Sequence, residues 1–178
     1  MLKKLMSAAV LAAAAATAHA APQSYEITYR GFQAVHDGVF EPDRTLKVTF
    51  TVDDLDHNGS YSLDELLALD SNRIAYSGSC DIIHCVDIFT WTPGALPTFS
   101  ARYINNNGFD FTMQSIVTGE SHKSFYQSSF GFRYDYTWDW TPATTATITA
   151  VPEPASFGML AVGLAGMVAL GRRRRAHG

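Results

Sequence analysis

The sequence predicts an all-β body, mostly antiparallel and arranged as a β-sandwich, on three observations. Segments rich in aromatic and β-branched residues recur at 25–29, 46–52, 86–91, 99–104, 109–117 and 125–140. Gly, Pro and Asn clusters such as Asn105-Asn106-Asn107-Gly108 separate them, the punctuation expected between short strands. The stretch FGFRYDYTWDW alternates large rings with small or polar residues at a period of two, the period of a strand. About 130 residues lie between the two ends of the chain, enough to bury one core.

In that stretch Phe130, Phe132, Tyr134, Tyr136, Trp138 and Trp140 fall on one side of the expected strand. Six neighbouring rings are expected to form the core face of a sheet, because a water-facing domain seldom leaves so much apolar surface uncovered. Trp138, Asp139 and Trp140 also have the chemistry of a sugar-stacking platform, so a carbohydrate-binding or carbohydrate-acting module stays open as an alternative.

The two termini read as addresses. In residues 1–20, Lys3 and Lys4 precede an apolar stretch that closes on Ala18-His19-Ala20, the layout of a secretory signal peptide cut by signal peptidase. Residues 21–143 then form the body and 144–154 a spacer, the Thr- and Ala-rich stretch from Thr141 on, uncharged until Glu153, reading as a final strand that passes into it. Residues 155–171 carry no charge and are just long enough for a transmembrane helix. Arg172, Arg173, Arg174 and Arg175 follow within a basic tail, 172–178, and an arginine cluster holds its end of a span in the cytoplasm. The body is therefore expected outside.

A cleavable leader, then Pro152-Glu153-Pro154, an apolar helix and a basic stop at the chain terminus resemble the PEP-CTERM sorting signal of exported proteins of Gram-negative bacteria. That resemblance implies an exosortase, an intramembrane cysteine protease, as processing partner. It also implies transient anchoring in the inner membrane and release to the cell surface or to the exopolysaccharide matrix of a biofilm. A permanently membrane-anchored envelope protein is the alternative. The two prolines favour an extended segment that a protease can engage.

The whole chain of 178 residues has a formal charge of −4, but residues 21–150 hold 16 acidic against 7 basic side chains, or −9. Such a body lacks the basic footprint that nucleic acid requires. Its charge suits divalent cations, although solubility alone also accounts for it.

The stretch DLDHNGSYSLDE, residues 54–65, has the spacing of an EF-hand calcium loop. Asp54, Asp56 and Asn58 take loop positions one, three and five, Gly59 takes six, and Glu65 takes twelve. Ser60 offers a carbonyl at seven and Ser62 a direct or water-mediated contact at nine. Ca²⁺ prefers six to eight oxygens, and a terminal glutamate supplies two of them. The expected cofactor is thus a structural Ca²⁺, with a metal-free polar turn as the alternative. Residues 46–52 before the loop read as a strand, while Ser62 and Glu65 form a capping-box pattern ahead of Leu66, Leu67 and Leu69, so one short helix is expected after the loop.

Cys80 and Cys85, the two cysteines, flank a four-residue loop and outside the cytoplasm are expected to form a disulfide. A zinc site would need a further ligand, and the neighbouring Asp81 and Asp87 disfavour a reactive thiolate. His36, His57 and His122 read as solvated loop residues. Gly-x-Ser-x-Gly, His-Glu-x-x-His and phosphate-loop patterns are absent, so a non-enzymatic, structural or binding role is expected.

Overall fold

In the first strand, β1 (Gln23–Ala34), Ile27 and Tyr29 are buried between more accessible Glu26, Thr28 and Arg30. That alternation gives one wet and one dry face, and the same pattern recurs along the chain. The computed structural model describes residues 22–76 and 83–152. The strands that follow are β2 (Phe40–Val52), β3 (Leu66–Ser71), β4 (Ile74–Tyr76), β5 (His84–Thr90) and β6 (Thr98–Asn106). Then come β7 (Asp110–Val117), β8 (Ser121–Ser128), β9 (Arg133–Asp139) and β10 (Thr145–Val151).

All pairings between strands are antiparallel, and they join into a single sheet in the order β4-β3-β2-β1-β9-β8-β7-β6-β5, with β10 also on β1. The sheet curls until its edge strands β4 and β5 touch. A bridge between Tyr61 and Trp91 fastens the seam through amide-to-carbonyl bonds of 2.7 and 2.9 Å. The expected sandwich is therefore corrected to a nearly closed, barrel-like sheet. Alternating hydrophobicity serves either architecture, because both offer one dry face per strand.

Gly31 explains how one edge of β1 takes two partners. The register of β1 against β2 shifts between Arg30 and Phe32, and Gly31 sits in that bulge at φ +83°. Before the bulge, Ser24 to Arg30 pair with β10; after it, Gln33 and Ala34 pair with β9. β9 and β10 thus run end to end in one direction along β1.

Register also gives the barrel two distinct ends. Gln23 lies opposite Val52 and Ser24 opposite Val151, so the start of the body, its last strand and the loop after β2 share one end. We call this the attached end. The β6–β7 and β8–β9 turns lie at the other, free end, with Phe109, Phe130 and Phe132 exposed at their tips.

The interior of the attached half is packed with rings. Trp91 meets Tyr25, Phe50 and Tyr61 at centroid distances of 4.5, 5.1 and 5.2 Å, and Phe50 meets Phe89 at 5.4 Å. Each large apolar side chain buried there stabilises the fold by about 1.5–3 kcal/mol.

Two further expectations change. The short helix after the loop is one 3-10 turn, Leu63–Glu65, and Leu66 to Ser71 continue as β3, where Leu66, Leu69 and Ser71 are buried. The amides at the edge of β2 claim this segment, overriding its helical signal. The strand expected over 125–140 reverses at Gly131, φ +89°, into β8 and β9. Residues 145–151, within the stretch read as a final strand passing into a spacer, form β10: their small side chains bury little, but their backbone completes the ladder on β1. Residues 1–20, the 155–171 helix and the 172–178 tail lie outside the described residues.

Candidate functional site

The loop after β2 folds around its own acidic side chains. The Asn58 amide donates to Asp56 Oδ1 at 3.1 Å, Gly59 to Asp54 Oδ2 at 3.2 Å and Ser60 to Asn58 Oδ1 at 2.6 Å. His57 at φ 59° and Gly59 at +74° make the sharp turn that these short-range bonds require. The Ser60 hydroxyl shares a 3.0 Å hydrogen bond with Thr92, tying the loop to the segment after β5.

Glu65 closes the loop from inside. It is 5% exposed, and its Oε1 accepts the Leu55 and Asp56 amides at 3.0 and 3.4 Å. Its Oε2 accepts the Ser62 amide at 2.9 Å and the Ser62 hydroxyl at 3.1 Å. Donation from Ser62 holds the carboxyl below the usual carboxylate range despite the opposing effect of burial. The expected capping pair is thus real, although it serves a single turn.

Asp54, Asp56 and Glu65 bring carboxylate oxygens within 4.8 Å of one another. Asp54 Oδ1 is shielded from solvent and has no hydrogen-bond partner. An ionised oxygen in that state is costly unless a cation or further donor meets it, so the donor set fits a hard divalent ion. Tyr61 makes the bridge to Trp91, which ties the loop to the segment after β5.

The other expected site residues separate. Trp138 is only 8% exposed, and Trp140 packs edge-on against Tyr29 and Phe32 at 5.4 and 4.8 Å. Asp139 lies between them at the position that period two assigns to the opposite face. Trp138, Asp139 and Trp140 therefore do not form an exposed platform. Tyr134 and Tyr136 are the accessible rings of β9, stacked in line with Trp138. Cys85 is buried on β5, and Cys80 lies outside the described residues. Pro152 ends the described chain, while Glu153, Pro154, Arg172, Arg173, Arg174 and Arg175 lie beyond it.

A second feature is assembled from several strands. Toward the free end, the barrel interior opens into a cavity of about 360 Å³ lined by Arg44, Asn72, Gln114, His122, Ser124, Tyr136 and Trp138. These come from β2, the β3–β4 turn, β7, β8 and β9, and register aligns them: His122 faces Trp138, Ser124 faces Tyr136 and Gln114 faces Ser124. Asn72 and Arg73 both have positive φ, 52° and 67°, as a two-residue hairpin demands, and this turn delivers Asn72 to the rim.

His122 corrects the expectation of a solvated loop residue. It is 6% exposed, stacks on Trp138 at 5.6 Å, and is pushed down to about 4, first by burial and then by Arg44. The Arg44 guanidinium lies 3.8 Å over the Trp138 ring. A polar or charged residue two positions along a strand from a core residue was the available signal: Arg44 precedes Leu46 and Gln114 precedes Ile116 by that step.

No curated protein and no solved structure matches the chain. Residues 150–175 match the PEP-CTERM protein-sorting motif, a run that begins within β10. The chain thus carries a PEP-CTERM sorting motif that begins at the attached end of the barrel, and the motif points to export and to sorting by an exosortase at the membrane.

Proposed function

We propose that this is a non-enzymatic binding protein of the cell surface or extracellular matrix, whose β-barrel body is the working part and whose two ends are removable addresses. The observation that carries the reading is the pairing of Ser24 with Val151. The body starts and stops side by side, so its leader and sorting motif depart from one end, and the cavity at the other end faces away from the membrane. His122 supports binding over catalysis. Among the described residues no carboxylate lines its cavity, and a ring that resists protonation down to about 4 is a weak general base at neutral pH.

In this reading Asp54, Asp56 and Glu65 hold Ca²⁺, with Asn58, Ser60 and Ser62 completing the shell. The ion is structural, pinning the attached end only where calcium is plentiful. Cys80 and Cys85 form a disulfide that closes the short connection into β5.

Intact-mass measurement of the chain recovered from membrane, surface and medium fractions tests the addresses. The expected mature mass in the surface or medium fraction lacks residues 1–20 and the segment containing Arg172 to Arg175. A surface protein retaining those arginines means permanent anchoring instead. Thiol alkylation before and after reduction reads the disulfide in the same sample; two thiols alkylated without reductant refute it.

A further inference from the structure

We propose that the cavity at the free end binds a carboxylated, hydroxyl-rich sugar unit, with Arg44 holding the carboxylate and Gln114, His122, Ser124 and Asn72 meeting the ring hydroxyls. The charge comes first. Among the described residues Arg44 is the only charged side chain of the lining, and it makes neither an ion pair nor a hydrogen bond there. Its contact is the face of Trp138, which leaves the N–H edges of the guanidinium for a planar two-oxygen acceptor. A cationic ligand would find no counter-charge among these residues.

The buried polar atoms then specify what accompanies the anion. Gln114 Oε1 and His122 Nε2 are both shielded from solvent and without hydrogen-bond partners. Leaving such atoms unmet is costly, so the missing partner should supply it. Gln114 Oε1 can only accept, so the ligand must bring a donor as well as an anion. A simple carboxylate lacks one. Hydroxyls donate and accept, which also suits the Ser124 hydroxyl and Asn72 amide. Tyr136, the accessible ring of the lining, supplies the apolar wall on which the C–H face of a sugar ring can rest. A volume of about 360 Å³ is near the lower end for small-molecule sites, about 300–1,000 Å³, and suits one ring better than a buried chain.

The inference deepens the binding reading, but it fails separately from it. Sorting is read by mass in cells, whereas this site is read by titration of the purified mature protein. Isothermal titration with D-glucuronate, D-glucose, acetate and inorganic phosphate is the experiment. Saturable glucuronate binding is expected, with glucose and acetate each at least about tenfold weaker. Arg44→Met should weaken glucuronate about ten- to hundredfold while leaving glucose nearly unchanged. Arg44→Lys, which keeps the charge without the fork, should fall between the two, and an unchanged melting temperature separates lost contact from lost fold. Gln114→Leu should weaken both sugars. Phosphate or acetate binding as tightly as glucuronate would reduce the site to an anion pocket and overturn the proposal. So would equal glucose and glucuronate affinities, or no heat from any of them.

Discussion

Replacing Glu65 with glutamine separates what the loop owes to its own hydrogen bonds from what it owes to a cation. The carboxylate accepts four donors, two on each oxygen. Glutamine keeps one accepting oxygen and turns an N–H₂ toward the other pair, so at least one backbone amide loses its partner. An unmet, partly buried donor costs about 1–3 kcal/mol, and loss of charge assistance on the rest adds to that, giving about 2–4 kcal/mol in EDTA. For a body of this size that lowers Tm by about 6–15 °C. The cation adds a second, independent quantity. An isolated extracellular loop with Kd about 10⁻⁴ to 10⁻³ M gains about 1.4–2.7 kcal/mol at about 10 mM Ca²⁺. Wild type should therefore melt several degrees higher with Ca²⁺ than with EDTA, and Glu65→Gln should melt at one low temperature in both. Differential scanning calorimetry of the two proteins in the two buffers gives all four values. If the variant matches wild type in EDTA, the hydrogen-bond reasoning fails; if wild type ignores Ca²⁺, the metal reading fails.

The other expected outcomes concern the barrel wall. His122 is held neutral at about 4 against an ordinary 6.5, so between those pH values the unfolded chain takes up a proton that the folded chain refuses. Stability present above pH 6.5 should fall by about 3 kcal/mol as pH drops through this window. His122→Phe, which keeps a ring against Trp138, should remove that part of the acid dependence; urea midpoints at pH 7 and pH 4 compare the two, and parallel curves would contradict a buried neutral imidazole. At Gly31, an added Cβ would stand 2.7 Å from the Phe40 ring in a backbone at φ +83°. Gly31→Ala should cost about 1–3 kcal/mol by chemical denaturation, more than Gly38→Ala, where φ is +70° but the nearest atom is 3.9 Å away. Equal losses at the two positions would mean that crowding at the bulge is unimportant.

Wherever apolar alternation was strong, the sequence made the strand visible: Ile27 and Tyr29, Val48 and Phe50, Phe99 and Ala101 all face the core. What it could not convey was decided between strands. Leu66, Leu67 and Leu69 after a capping pair satisfy a helix locally, and they became a strand because β2 offered an open edge. The rings from Phe130 to Trp140 keep period two, yet burial along them is graded. Trp138 meets Arg44 and His122 within the barrel, while Phe130 and Phe132 belong to a turn that protrudes from it. Closure into a barrel leaves no mark on any one strand, because it depends on the sheet's edges meeting. The acidic loop was legible because its atoms lie within twelve residues. The cavity was not, since its residues reach one space only through the register of several strands.

Register also joins the loop to the chain's exit. The Asp53 amide bonds the Glu65 carbonyl at 3.0 Å, just beyond Val52, which pairs with Gln23. Ser24, the next residue, is held on its other edge by Val151, the last residue of β10. A cation held at Asp54, Asp56 and Glu65 would therefore stabilise first the part of the sheet from which the sorting motif departs. The cavity, bordered by Gln114, Ser124 and Tyr136 and separated from that end by the packed rings around Trp91, has its own polar contacts. Two sites at opposite ends of a packed barrel should behave additively, because neither shares a side chain with the other. Calcium is thus expected to raise the melting temperature without changing glucuronate affinity, and a calcium-dependent affinity would mean that the aromatic core between them has two arrangements.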